Sequence, residues 1–187
     1  MLPAQLLFTQ GFGTRRDCAG LVTAGRMRID GRVLEGDEDI EPAEGLPFEV
    51  DGQPWAFYAS ALVLLHKPAG FECSQKPKHH PSVLSLLPPP LRTRGVQSVG
   101  RLDADTTGLL LLTDDGALIH RLTSPKHHVP KVYEVTCKHA MEPAQVQRLL
   151  HGVVLDDDPA PVCAAAAAST KKPARCATWC RTTCCRC

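Results

Sequence analysis

The sequence predicts an α+β fold, and three observations lead to it. Strand-length segments recur: unbroken apolar runs at residues 61–65 and 109–112, and a strand over 132–137. Helix signals lie among them: Thr14 with Asp17 three residues on, and Pro143 opening a stretch that Gly152 closes. Asp-Gly pairs at 30–31 and 115–116 mark turns at strand ends. The 187 residues allow one large domain or two small ones, and the apolar fraction of 43% is enough for a core.

Residues 1–13 are weakly patterned. From there Thr14 caps a helix over 15–24, and Gly25 ends it. Residues 27–30 read as a strand, Asp30-Gly31 as a hairpin turn, and 32–34 as the return strand. An acidic loop follows, then a short strand over 47–50. Residues 51–60 read as a linker carrying exposed aromatics. Residues 61–65 form a buried strand, and His66 to Gly70 a tight loop in which Lys67 reads equally as a solvated residue or as a structural one. The loop over 75–80 carries Lys76, Lys78, His79 and His80 without an acid at ligand spacing, so phosphate contact is its more economical role. A short helical turn over 82–87 ends at the prolines 88–90.

Next comes the densest stretch, VGRLDADTTGLLLLTDDG at 99–116. Its strand over 109–112 is bounded by Gly108 and by Asp115-Gly116. If Leu102 points inward, Arg101 and Asp103 both point the other way, toward a groove. A carboxylate so placed can act as nucleophile or base, or can close an Asx-turn onto the backbone near Thr106.

Residues 117–122 read as a helix with Ile119 and Leu122 facing the core. Lys126, His127, His128 and Lys131 form a second basic loop, and in the strand over 132–137 Tyr133 shares a face with Val135 and Cys137. From residues alone, Tyr133 is a core tyrosine with its hydroxyl near the strand end. A helix over 143–150, a brief strand over 153–155, an acidic turn, and a strand or short helix over 162–168 complete the pattern. Cys176, Cys180, Cys184, Cys185 and Cys187 then crowd a tail whose spacing matches no paired zinc-ligand arrangement. That tail, 169–187, reads as an irregular, metal-free terminus, either genuine or the product of a shifted reading frame, with a small metal tail as the other reading.

Charge is unevenly placed. Residues 1–60 hold 5 Lys/Arg against 10 Asp/Glu, and residues 61–150 hold 11 against 7 with seven of the eight histidines. An RNA surface is therefore expected in the middle of the chain. No apolar run approaches a membrane span and no leader precedes a cleavage site, so a cytoplasmic protein with no membrane contact is expected.

GRLD followed by DTTGLLLLTDDG resembles the catalytic-aspartate motif of the pseudouridine synthases, and more narrowly the RsuA-type branch that modifies ribosomal RNA. LLHKPAGFECS is similar to that family's first motif, where the lysine-proline turn supports the floor of the active site. TRRDCAGLVTAGRMRIDGRV is similar to the second half of an S4 domain, a small RNA-binding module. The resemblance covers residues 14–168.

It implies an S4-like domain over 1–58 and, over 59–168, part of a synthase domain built on a mixed, mainly antiparallel sheet with flanking helices. It implies isomerisation of a specific uridine in small-subunit 16S ribosomal RNA, with Asp103 as catalytic carboxylate, Arg101 beside it and Tyr133 stacking on the uracil. Arg15, Arg16, Arg26, Arg28, Lys67, Lys126, His127, His128 and Lys131 are then the RNA-binding residues. Solvation of a small α+β face is the other reading of the four arginines. Neither cofactor nor metal is expected, and the expected state is a monomer. In the family, a further segment with a lysine-tyrosine-histidine pattern and a basic partner for the aspartate follows, and no such segment is found after residue 168. An RNA-binding protein with a degraded synthase domain, or a non-functional fragment, is the alternative reading.

Overall fold

The computed structural model of the chain describes residues 1–124, 131–136, 142–155, 158–162, 164–171 and 174–180. The chain forms two compact units, Met1–His120 and Arg121–Cys187.

The first unit opens with helices α1 (Pro3–Thr9) and α2 (Arg15–Thr23). Pro3 stands in the first turn of α1, where a missing N–H costs nothing. Thr14 and Asp17 form the capping box at the head of α2: the Asp17 amide donates to Thr14 Oγ1 at 3.2 Å, and the Thr14 amide to Asp17 Oδ2 at 2.9 Å. The Thr14 hydroxyl, which donates to Asp17 Oδ2 at 2.7 Å, and then the Thr14 amide hold the exposed Asp17 carboxyl below its ordinary pKa.

Four antiparallel strands follow: β1 (Met27–Ile29), β2 (Arg32–Val33), β3 (Pro47–Val50) and β4 (Gln53–Ala56), in the order β2-β1-β3-β4. Two left-handed turns join them. Asp30 and Gly31 have φ of 51° and 75°, and Asp51 and Gly52 of 56° and 73°, the pair of positive angles that Asp-Gly hairpins require. The second hairpin corrects the linker expected over 51–60. Gln53 to Ala56 is an edge strand, and Pro54 is tolerated there because β4 has only one neighbour. Leu6, Leu7, Cys18, Val22, Met27, Phe48 and Val50 make the core between helices and sheet. The weakly patterned start is thus the first core element: Leu6 and Leu7 of α1 are fully buried.

A second sheet stands in the same unit. β5 (Leu62–Lys67), β6 (Gln97–Ser98) and β7 (Gly108–Thr113) run antiparallel in the order β5-β7-β6. A 3-10 turn at Val83–Leu86 and the short helix α3 (Pro89–Thr93) lie between β5 and β6. The prolines expected only to end a helical turn also begin α3. Leu110, Leu112, Val83, Leu87 and Val96 form its core. β5 alternates where an unbroken buried run was expected: Leu62 and Leu64 are more than 60% exposed, Val63 and Leu65 are half-buried, and Lys67 ends the inward row. Helix α4 (Gly116–Thr123) follows β7, with Asp115 Oδ1 accepting from the amides of Ala117 and Leu118. Asp115-Gly116 thus follows the end of β7, as expected, and also opens the helix.

One buried node ties the two sheets together. The Arg94 side chain is 6% exposed. Its Nε donates to Asp114 Oδ2 at 2.8 Å, its Nη1 to Gln10 Oε1 at 2.8 Å and to the Tyr58 carbonyl at 3.0 Å, and its Nη2 to the Ala59 carbonyl at 3.1 Å. Asp114 Oδ1 also accepts from the Ala61 amide at 2.8 Å. Beside the node Gly11 packs so close to α3 that a Cβ would stand 2.1 Å from the Pro90 carbonyl oxygen. Arg94→Lys keeps the charge but loses the planar fork, so one ammonium cannot serve all four acceptors, although Gln10 and Tyr58 keep their bonds to each other. We expect it to lower unfolding free energy by about 2 kcal/mol, read from urea denaturation; a loss under about 0.5 kcal/mol would show that the node is not structural.

The second unit contains β8 (Lys131–Thr136), α5 (Pro143–His151), β9 (Val153–Leu155), β10 (Asp158–Val162), β11 (Ala164–Lys171) and β12 (Ala174–Cys180). β11, β12 and β8 form an antiparallel sheet in that order, and β9 pairs with β10. The chain expected to be irregular from residue 169 is strand as far as Cys180, apart from 172–173, which lie outside the described residues. The alanine run resolves as strand, pairing with β12 in continuous register from Ala166 to Lys171 after a register shift between Ala164 and Ala166. Cys184, Cys185 and Cys187 lie outside the described residues.

Candidate active site

The site is built on the loop between β6 and β7. Val99 donates to the Leu111 carbonyl at 2.8 Å, and Leu102 donates to Cys73 Sγ at 3.5 Å while its side chain packs on the second core. With Leu102 turned in, Arg101 and Asp103 on either side of it are exposed, as the alternation predicts. The loop then tightens. The Thr106 amide donates to the Asp103 carbonyl at 3.1 Å, and the Gly70 amide to the Ala104 carbonyl at 2.7 Å.

Beneath the loop lies Lys67. It is fully buried, and its ammonium donates to the carbonyls of Asp103 at 2.8 Å, Thr106 at 2.7 Å, Ala104 at 3.2 Å and Pro68 at 3.2 Å. The expectation of Lys67 as a solvated phosphate contact is therefore corrected. The period of β5 drives this side chain inward, and its charge is stabilised by a ring of backbone dipoles. Buried charge is tolerated only with such partners.

This arrangement separates the two readings of Asp103. The turn at 103–106 is closed by the backbone carbonyl of Asp103, and among the described residues no amide donates to its carboxylate as an Asx-turn would require. Among the described residues no hydrogen bond or ion pair reaches the carboxylate. The chain thus presents an exposed carboxylate and an exposed guanidinium, two residues apart, on a backbone pinned from below by a buried cation. A carboxylate held in this way is available to act on a bound reactant as nucleophile or base.

The other expected residues divide. Arg15 and Arg16 are exposed at the start of α2, and the Arg15 guanidinium lies 4.8 Å from the centre of the Phe8 ring. Arg28 is exposed and touches only the Gly31 carbonyl, at 3.5 Å. Arg26 is engaged by Asp51: Nη2 stands 2.5 Å from Oδ2, and Nε bonds Oδ1. This partner pushes the Arg26 pKa up and competes with any phosphate. Lys131 and Tyr133 are placed by backbone in β8, opposite Cys180 and Thr178 of β12. Lys126, His127 and His128 lie outside the described residues. Among the described residues, no group of three or more His, Cys, Asp or Glu side chains could hold a metal ion, and no helix is long and apolar enough to cross a membrane.

Comparison with known proteins bears on the same residues. The family described as RNA pseudouridylate synthase matches residues 61–177, which includes the Asp103 loop and reaches nine residues past 168. The chain is 36% identical over 145 residues to ribosomal small subunit pseudouridine synthase A of Vibrio parahaemolyticus, covering 78% of this chain and 61% of that protein. It is 40% identical over 134 residues to the protein of the same name from Yersinia pestis, covering 71% and 56%. It is 34% identical over 164 residues to ribosomal large subunit pseudouridine synthase B of Escherichia coli K12, covering 83% and 55%. The chain thus spans 55–61% of the length of these relatives. A crystal structure described as a pseudouridylate synthase is similar at a TM-score of 0.55 and 26% identity, covering 97% of this chain and 77% of that one.

Proposed function

Because the chain belongs to the RNA pseudouridylate synthase family, we propose that it isomerises a uridine of ribosomal RNA to pseudouridine, with Asp103 as the catalytic carboxylate. The reaction breaks the bond from N1 to the ribose C1′ and forms one from C5 to C1′; a proton leaves C5 and N1 gains one. Atoms and electrons balance within the nucleotide, so the chemistry needs positioning and a carboxylate and no external oxidant or reductant. The base must first leave its stack, at about a few kcal/mol. Arg101 holds a phosphate or fills the space the base vacates. Tyr133 keeps the base flat by stacking, worth about 1–3 kcal/mol.

The observation that carries this reading is the Asp103 loop: its carboxylate is unengaged among the described residues, and its backbone is fixed by Lys67. Small-subunit 16S RNA is the proposed substrate, supported by the named activity of the Vibrio and Yersinia relatives. The N-terminal helices and sheet are proposed as the S4-like RNA module, with Arg15, Arg16 and Arg28, which form no ion pair among the described residues, as its phosphate contacts. A cytoplasmic monomer remains the proposed state.

The test is pseudouridine mapping, by carbodiimide adducts and primer extension, on unmodified small-subunit RNA incubated with the purified chain. One new pseudouridine is expected. RNA binding without any new pseudouridine would favour a binding protein that has lost turnover.

A further inference from the structure

Beside the Asp103 loop stands a second loop that the catalytic reading leaves unused. Its two ends meet at Glu72: the Glu72 amide donates to the Pro81 carbonyl at 2.9 Å, and the Val83 amide to the Glu72 carbonyl at 2.8 Å. The Glu72 carboxylate turns inward and accepts three consecutive amides, those of Lys78 at 3.1 Å and of His79 and His80 at 2.9 Å each. Ser82 Oγ donates to the Ser74 carbonyl at 2.5 Å, and the Lys76 amide to Ser74 Oγ at 3.1 Å. The loop is therefore a built object, folded around an internal carboxylate.

What it presents outward is uniform. Lys76, Lys78, His79 and His80 are all exposed, and among the described residues none of them forms an ion pair. The contrast with Arg26, Arg32 and Arg94 is direct, because each of those has a carboxylate partner. Residues 74–81 are Ser, Gln, Lys, Pro, Lys, His, His and Pro. They offer no large aliphatic or aromatic anchor of the kind that protein interfaces and membrane insertion need. Cys73 joins this loop to the site: its sulfur accepts from Leu102, the neighbour of Asp103, and both side chains pack on one core.

We propose that the loop over 74–80 is a phosphate-contact site for the RNA strand that carries the target nucleotide to Asp103, with Lys76 and Lys78 as its charged contacts. This rests on the function proposed above and adds residues to it. Glu72 acts as a positioning residue: it fixes the backbone so that two ammonium groups project beside the catalytic loop. Each contact releases condensed counterions, which gives the site a salt signature.

Binding of a ribosomal RNA fragment is to be measured by fluorescence anisotropy across a potassium chloride series. Lys76→Ala/Lys78→Ala should make the log-log slope shallower by about 0.7–0.9 for each lost contact, with the exposed Arg92→Gln in α3 as the unaffected control. Glu72→Gln should weaken binding although it removes a negative charge, because a carboxamide cannot accept all three amides. An unchanged slope in the double lysine variant, with normal binding by the parent, would overturn the loop alone. Tighter binding by Glu72→Gln would show bare charge at work and overturn the built site. No RNA binding by the parent chain would overturn both this site and the function beneath it. Lysine-dependent binding to anionic phosphatidylserine vesicles in preference to RNA would reassign the surface.

Discussion

Asp103→Asn is expected to lower pseudouridine formation by about 10⁴-fold or more, on the order of 5 kcal/mol of barrier. Asn keeps the shape of the side chain and one carbonyl acceptor. It removes the negative charge and most of the nucleophilicity, and those are what the proposed chemistry uses. The loop itself should persist, because it is held by the Asp103 main-chain carbonyl and not by the carboxylate. RNA affinity should change much less, since phosphate contacts carry most of it. Asp105→Asn is the matched control two residues away and also exposed. The comparison is of single-turnover rates on small-subunit RNA. Equal rates in the two variants would move the catalytic role away from Asp103.

Lys67→Met should be the most destabilising single change near the site, at about 3–5 kcal/mol. Methionine fills a similar volume, so packing is largely conserved. What is lost is the cation that four carbonyls face, and three of them, at 2.7, 2.8 and 3.2 Å, belong to the catalytic loop. Their remaining donors are the Thr106 and Gly70 amides, which leave the Thr106 and Pro68 carbonyls unpaired. Amides of residues 102–107 should lose hydrogen-exchange protection, and the urea midpoint should fall. Lys67→Arg should not rescue, because a planar fork does not fit a ring of carbonyls around a point charge. A stability within about 0.5 kcal/mol of the parent would show that the loop stands without its cation.

Much of this was legible because it is local. The Thr14 and Asp17 capping box, the Asp30-Gly31 hairpin, the 108–113 strand and the outward pair Arg101 and Asp103 all follow from neighbours within a few residues. Helix α5 and strand β9 appear where their Pro, Gly and apolar signals put them.

The misses have physical reasons as well. α1 is seven residues long, too few turns for a 3.6-residue period to show. The Asp51-Gly52 turn carries the same signal as Asp30-Gly31, and Pro54 concealed it by arguing against a strand that turns out to be an edge. Lys67 was readable in principle, since Ala61, Val63, Leu65 and Lys67 share one parity; its charge argued for solvent. The Arg94 node could not be read at all. Its acceptors lie 20 to 84 residues away, and no local pattern announces them.

That node also governs how the protein can be cut. A boundary near residue 58 invites preparing the N-terminal helices and the synthase strands as separate pieces. Such a cut would strip Arg94 of Gln10 and the Tyr58 carbonyl, and leave Asp114 holding a guanidinium opened to water on one side. The other piece would keep a Gln10 carboxamide that lacks its cation, and a Gly11 whose backbone was shaped to receive Pro90. A fragment that behaves poorly would then report a severed joint and not a defective module. A piece that keeps Gln10 through Asp114 together and runs past the end of α4 at Thr123 preserves both faces of that joint.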